Sequence, residues 1–132
     1  MSKQKTIKES FSVIGVGLHT GEKATLTILP AEENHGFKFK RTDLEDTPII
    51  NADPDLVVDT SRSTTLEKNG VQVHTTEHIL AALYGMEIDN ALIEVSGPEI
   101  PIMDGSAYPF VELINQVGIV DQNEEKDYFV VT

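Results

Sequence analysis

The feature that most constrains this chain is a change of apolar rhythm near residue 75. Before it, Ala24-Thr25-Leu26-Thr27-Ile28-Leu29-Pro30 and Phe37-Lys38-Phe39-Lys40 alternate with period two, the pattern of half-buried strands. After it, Thr75–Tyr84 is rich in helix formers, and Phe110, Leu113, Ile114 and Val117 fall at i, i+3, i+4 and i+7 of a second helix. A strand face and a helix stripe must each bury their apolar side against another element. The pattern therefore predicts an α+β fold: a two-layer sandwich with a mostly antiparallel sheet covered on one face by two helices.

Local signals refine this reading. Thr6–Ile14 alternates loosely and then meets Gly15, Gly17 and Gly21, which break any regular element. With 24–30 and 37–40 it is expected to form an antiparallel set with one wet face. Residues 42–60 are acidic and proline-bearing, and read as a long loop with a short strand or a helical turn. Asn69-Gly70 between Ser63–Glu67 and Val71–His74 predicts a hairpin with a type I′ turn. Thr75 or Thr76 is expected to cap the first helix and Gly85 to end it in the left-handed conformation. A strand over 90–95 follows. Ser106 is expected to cap the second helix, with Pro109 in its first turn and Gly118 closing it. Asp127–Thr132 starts a further strand inside which the sequence stops, so the chain reads as one domain, 1–132, of a truncated protein.

A length of 132 residues suits one domain. Cysteine is absent, so disulfides, thiolate metal sites and thiol nucleophiles are excluded. Any metal falls to His, Asp, Glu or backbone oxygen. The net charge of -12 argues against a nucleic-acid platform, because phosphate binding needs a Lys/Arg surface. The charge is uneven: residues 1–41 carry seven of the ten basic groups against four acids. That asymmetry reads either as solvated surface or as a basic ribbon near an anionic small-molecule substrate. No run has the length of a signal-peptide core or a transmembrane helix, and a cytoplasmic setting is expected.

Chemistry concentrates at His74-Thr75-Thr76-Glu77-His78. As a bare pattern this is His-x-x-Glu-His, in which two His bind zinc from one helix face and the Glu is general base. That geometry needs His74 on the helix, whereas Val71–Val73 reads as strand. Glu77-His78 stands better as a pair: consecutive residues project about 100° apart, and can meet around one metal. The alternative is a Glu complementing the helix dipole beside a surface His. Asp104, before the second helix, reads as an Asx-turn. The Gly15–Gly21 segment, with His19 near its tip, matches neither a P-loop nor a dinucleotide fingerprint.

Four motifs occur in order: Gly15-Val16-Gly17-Leu18-His19-Thr20-Gly21; Thr76-Glu77-His78 with Ile79-Leu80-Ala81-Ala82-Leu83; Ile88-Asp89-Asn90; and Gly97-Pro98-Glu99-Ile100-Pro101-Ile102-Met103-Asp104-Gly105-Ser106-Ala107. Together they closely resemble the N-terminal half of the UDP-3-O-acyl-N-acetylglucosamine deacetylases, zinc enzymes of the committed step of lipid A synthesis in Gram-negative bacteria. The resemblance covers essentially the whole chain. It implies hydrolysis of the N-acetyl group of UDP-3-O-acyl-N-acetylglucosamine, with Glu77 as general base and His78 as a zinc ligand. Zinc acidifies water and polarises the carbonyl, as amide hydrolysis requires. Asp59–Thr64 matches a loop near the zinc, which makes Ser61, Arg62 and Ser63 substrate-side candidates. His19 matches a histidine near the cleft. Many members carry Cys where this chain has Ser63, and His74 lies outside the family motif. The resemblance further implies that a second domain supplies the other zinc ligands, a histidine general acid and the acyl-chain groove. The 132 residues alone would then be inactive, with an exposed apolar surface and dimerisation through it. Competing readings are a small self-contained His-x-x-Glu-His metallohydrolase and a non-catalytic α+β interaction module.

Overall fold

The computed structural model describes residues 3–18, 20–52, 56–59 and 64–125. Its largest sheet grows from the alternation noted above. In β3 (Lys23–Pro30) Ala24, Leu26 and Ile28 are buried. In β4 (Phe37–Arg41) it is Phe37 and Phe39, and in β9 (Ala91–Val95) it is Ala91, Ile93 and Val95. The intervening residues turn to the other face, where Lys40 and Glu94 pair at 3.8 Å. With β2 (Phe11–Val16) and β5 (Ile49–Asn51) the order is β2-β3-β9-β4-β5.

The order corrects the expected antiparallel set. The β3 and β4 strands are not neighbours. The later strand β9 lies between them, antiparallel to β3 and parallel to β4, with Phe39 opposite Ile93. A parallel pair needs a long crossover, and the β4-to-β9 connection contains the hairpin and the first helix. The loosely alternating stretch 6–14 is likewise two strands. The first, β1 (Lys3–Ile7), leaves the sheet and pairs with β10 (Ile119–Glu125), a strand not anticipated from the sequence. Only Ile119 and Val120 are apolar in β10, so its pairing rests on register rather than on an apolar face. Lys5 lies opposite Asp121 and Lys3 opposite Glu125 in the register, and Lys3 Nζ donates to the Asn123 carbonyl at 3.2 Å.

A second, three-stranded sheet contains β6 (Val57–Asp59), β7 (Thr64–Lys68) and β8 (Val71–His74). The β7–β8 hairpin forms as expected: Asn69 and Gly70 have φ of 54° and 80°, both positive as a type I′ turn requires. Among the described residues of 42–60 there are two short strands, β5 and β6. Arg41 joins the two sheets. It forks onto Asp43 at 2.8 and 2.7 Å and donates to the Gln72 carbonyl at 2.9 Å.

Helices α1 (Glu77–Gly85) and α2 (Tyr108–Val117) bury Ile79, Ala82 and Leu83, and Phe110 and Ile114, against the same core as the sheet. Phe37 and Tyr84 meet edge to face at 5.1 Å, fixing α1 over β4. The α+β class and its helix-covered sheet stand. The caps differ from expectation. Neither Thr75 nor Thr76 gives α1 a side-chain cap. Gly85 remains helical, and the left-handed residue is Glu87 at φ 60°. There Ile88 N–H donates to the Leu83 carbonyl and Glu87 N–H to that of Tyr84, both at 3.0 Å, which is a Schellman ending with Ile88 buried beside Leu83. The residue that follows the turn, not the glycine, decides where this helix stops. In α2, the Ser106 hydroxyl accepts the Tyr108 N–H at 3.2 Å, one residue before the formal cap Ala107, and Gly118 takes φ 91°. The expected strand at 127–132 lies outside the described residues.

Candidate functional site

The site grows from the junction of β8 with α1. His74 is the last residue of β8, not a helix residue. Its N–H donates to the Pro98 carbonyl at 2.7 Å and its Nδ1 lies 2.9 Å from Thr65 Oγ1. This places it off the face of His78, so the inverted-zincin geometry does not form. Between strand and helix, Thr75 takes φ 61°. A β-branched residue in that region is a genuine outlier, costing about 1–3 kcal/mol and held only where surroundings over-determine it. Both Thr75 and Thr76 are buried. Their hydroxyls look away from the helix end, Thr75 Oγ1 to Glu99 Oε2 at 2.6 Å and Thr76 Oγ1 to the Thr64 carbonyl at 3.3 Å. The capping threonines read from the sequence are thus anchors that tie the helix start to neighbouring segments.

Glu77 and His78 open the first turn of α1, both partly buried. The Glu77 carboxylate accepts the Thr64 N–H at 3.3 Å, and Thr76 N–H returns to the Thr64 carbonyl at 3.2 Å. The start of β7 therefore grips the start of α1 from both sides. Helix α1 also packs against α2, which a turn at Asp104–Ser106 precedes. Asp104 Oδ1 accepts the Ser106 N–H at 2.9 Å and its hydroxyl at 2.7 Å, the expected Asx-turn. Those bonds hold the exposed Asp104 carboxyl below the ordinary carboxylate range. The charge of nearby His78 adds a smaller pull in the same direction. Thus the structure sets Glu77 and His78 side by side in the first turn of α1, with Asp104 within electrostatic reach of His78, and leaves His74 on the strand. His19, Ser61, Arg62 and Ser63 lie outside the described residues. An apolar cavity of about 200 Å³ adjoins Thr64 and Thr76, walled by Val57, Leu66, Leu80 and Tyr84.

As a metal site this donor set is partial. His78 offers one imidazole and Glu77 a carboxylate beside it. Among the described residues no group of three or more His, Cys, Asp or Glu side chains converges as a metal centre requires. The residues fit one coordination position and an adjacent base. Sequence reasoning passed over Glu99, a buried carboxylate at the end of an apolar stretch; its signal was its position between Pro98 and Ile100, where a charged group needs partners.

The comparisons with known proteins define the class. Residues 4–132 match the family model described as UDP-3-O-acyl N-acetylglycosamine deacetylase. The chain is 53% identical over 131 residues to a bifunctional enzyme of Bacteroides thetaiotaomicron named LpxC/FabZ, covering 99% of this chain and 28% of that protein. It is 52% identical over 128 residues to the UDP-3-O-acyl-N-acetylglucosamine deacetylase of Methylococcus capsulatus, covering 97% and 42% respectively. A Haemophilus influenzae deacetylase of the same name is 53% identical over 129 residues, with 97% and 42% covered. The chain therefore belongs to the UDP-3-O-acyl N-acetylglycosamine deacetylase family, and spans well under half the length of these relatives.

Proposed function

We propose that this domain is the base-bearing half of a zinc-dependent deacetylase that removes the N-acetyl group of UDP-3-O-acyl-N-acetylglucosamine in lipid A synthesis. The observation that carries it is the Glu77-His78 pair at the start of α1, with Glu77 held by the Thr64 N–H, in a chain of this family. His78 would hold zinc. When bound, zinc supplies Lewis-acid polarisation of the acetamide carbonyl. Glu77 takes the proton of the attacking water as that oxygen bonds to the carbonyl carbon. The C–N bond then breaks, the amine leaves protonated, and acetate is released. The Thr64 N–H fixes one Glu77 oxygen and leaves the other for the proton. His19, Ser61, Arg62 and Ser63 stand on the substrate side in this reading.

The other metal ligands, the proton donor to the amine and the acyl-chain groove belong to a second domain. That agrees with the partial donor set and with the share of the relatives this chain covers. Ile14 and Val16, exposed on one face of β2, and the exposed Leu18 just beyond its end suit a surface that another domain or a second copy covers. Among the described residues no helix is long and apolar enough to cross a membrane. The activity proposed is cytoplasmic, as the family resemblance implies. The test is zinc content and acetate release from UDP-3-O-acyl-N-acetylglucosamine, measured on a chain of the relatives' full length. His78→Ala is expected to lower bound zinc at least about 10-fold and abolish turnover. Full zinc occupancy with wild-type turnover in that variant would overturn the proposal. The 132 residues alone are expected to bind zinc weakly and release no acetate.

A further inference from the structure

Glu99 lies between β9 and α2 and is 1% exposed. A carboxylate buried that far persists only where hydrogen bonds take up its charge. One oxygen accepts the backbone N–H of Thr20 at 2.9 Å, and the other accepts the hydroxyl of Thr75 at 2.6 Å. These donors come from distant parts of the sequence. Thr20 sits in the turn after β2, closed by the Gly21 N–H on the Gly17 carbonyl at 3.0 Å. Thr75 is the left-handed residue two positions before Glu77. The turn is shaped to admit the carboxylate, since a Cβ on Gly17 would overlap Glu99 Oε1. The backbone around Glu99 is itself fixed on both sides. His74 N–H donates to Pro98, Ile100 N–H donates to His74 at 3.1 Å, and Ile102 N–H donates to Val16 at 3.0 Å. Residues 98–102 therefore stitch the end of β8 to the end of β2, with the Glu99 side chain at the seam.

We propose that Glu99 is a positioning residue that locks Gly17 and Thr20 against Thr75 and thereby sets the angle at which α1 presents Glu77 and His78. Its catalytic consequence rests on the deacetylase reading above; the clamp itself does not. Thr75 holds a backbone conformation its side chain disfavours, and the Glu99 bond is the restraint on that side chain. Without it the junction relaxes toward ordinary dihedrals, and the first turn of α1 swings with it.

The experiment pairs Glu99→Ala with Glu99→Gln in a chain of the relatives' full length, and reads both amide hydrogen exchange and steady-state kinetics. Losing a hydrogen bond to a charged group is expected to speed exchange of the Thr20 amide about 10-fold or more in Glu99→Ala, with the Ile93 amide in β9 unchanged. The same variant is expected to lower kcat about 10-fold with KM within about twofold, the signature of a misplaced group rather than a lost substrate contact. Glu99→Gln restores most of both, because its carbonyl still accepts from Thr20 and its amide can donate to the Thr75 hydroxyl. Wild-type Thr20 protection and kcat in Glu99→Ala overturn the proposal, as does a Gln variant as damaged as the Ala one. If the wild-type chain releases no acetate, the deacetylase reading falls, and the exchange arm still decides the clamp by the same criteria. Should Glu99→Ala fail to fold, Thr75→Val removes the Thr75 bond alone; a smaller change in the same direction supports the clamp and wild-type behaviour overturns it.

Discussion

Strand β9 has a polar cluster beyond each end, and the two are built from different chemistry. Before it, Asn90 is 1% exposed and belongs to a network of neutral amides. Its Nδ2 donates to Gln4 at 2.9 Å and to Gln122 at 2.7 Å, and its Oδ1 accepts the Gly36 N–H at 2.8 Å. Gln4 in turn bonds Asn34 and the Glu125 carbonyl. After β9, the groups are hydroxyls, an imidazole and carboxylates: Thr65, Thr75, Thr76, His74, Glu77 and Glu99. Both clusters are satisfied; among the described residues no buried side-chain N or O lacks a partner. The difference is what each can do. Amides do not titrate near neutrality and tie β1, β9 and β10 into one body. The second cluster gathers proton acceptors around a strained backbone, and the proposed site rests on it.

The sharpest way to break this distinction is Asn90→Ala. It leaves the Gly36 N–H, the Gln4 oxygen and the Gln122 oxygen each short of a partner, and is expected to cost about 3 kcal/mol in urea unfolding. Turnover per folded molecule should not change. A fall in kcat at full folding would show that the two clusters are not separate. A smaller effect probes the link between the sheets. The Arg41 fork onto Asp43 holds that carboxyl below its ordinary value, its hydrogen bonds outweighing the opposing effect of burial. A carboxylate with a lowered folded pKa adds stability above its unfolded pKa of about 3.9, and loses it as pH falls through the lower folded value. Thermal unfolding from pH 6 to pH 3 should therefore fall more steeply in the wild type than in Asp43→Asn. The difference at neutral pH should be only about 1 kcal/mol, because the pair is partly solvated. Parallel pH profiles would remove Asp43 from the account.

Much of the fold was legible because the pleat writes itself into the sequence. Leu26, Ile28, Phe37 and Phe39 alternate with polar neighbours and all four are buried. Asn69-Gly70 names its own turn. What was not legible is long-range. Nothing local in Phe37–Arg41 says that its partner is a strand fifty residues later and parallel to it. Nor does Ile119–Glu125, polar over most of its length, announce a strand whose partner is Lys3–Ile7, near the other end of the sequence. The helix ends were misread for a related reason. Thr75 and Thr76 have the right side chains to cap, but Glu99 and Thr64 claim those hydroxyls first. At the site, Glu77 and His78 were legible as an adjacent pair, and the motif resemblance gave them roles. The grip of Thr64 and the buried Glu99 came only from the structure, since both depend on segments that the sequence keeps apart.

In the proposed reaction the carboxylate opening α1 moves a proton. The direct measurement is kcat for acetate release by Glu77→Gln in a chain of the relatives' full length, alongside its zinc content and thermal midpoint. Gln keeps the oxygen that accepts the Thr64 N–H and removes the basicity. The account predicts a loss of about 10²–10⁴ in kcat, with zinc content and thermal midpoint unchanged. A Glu77→Gln enzyme that turns over at the wild-type rate would contradict it.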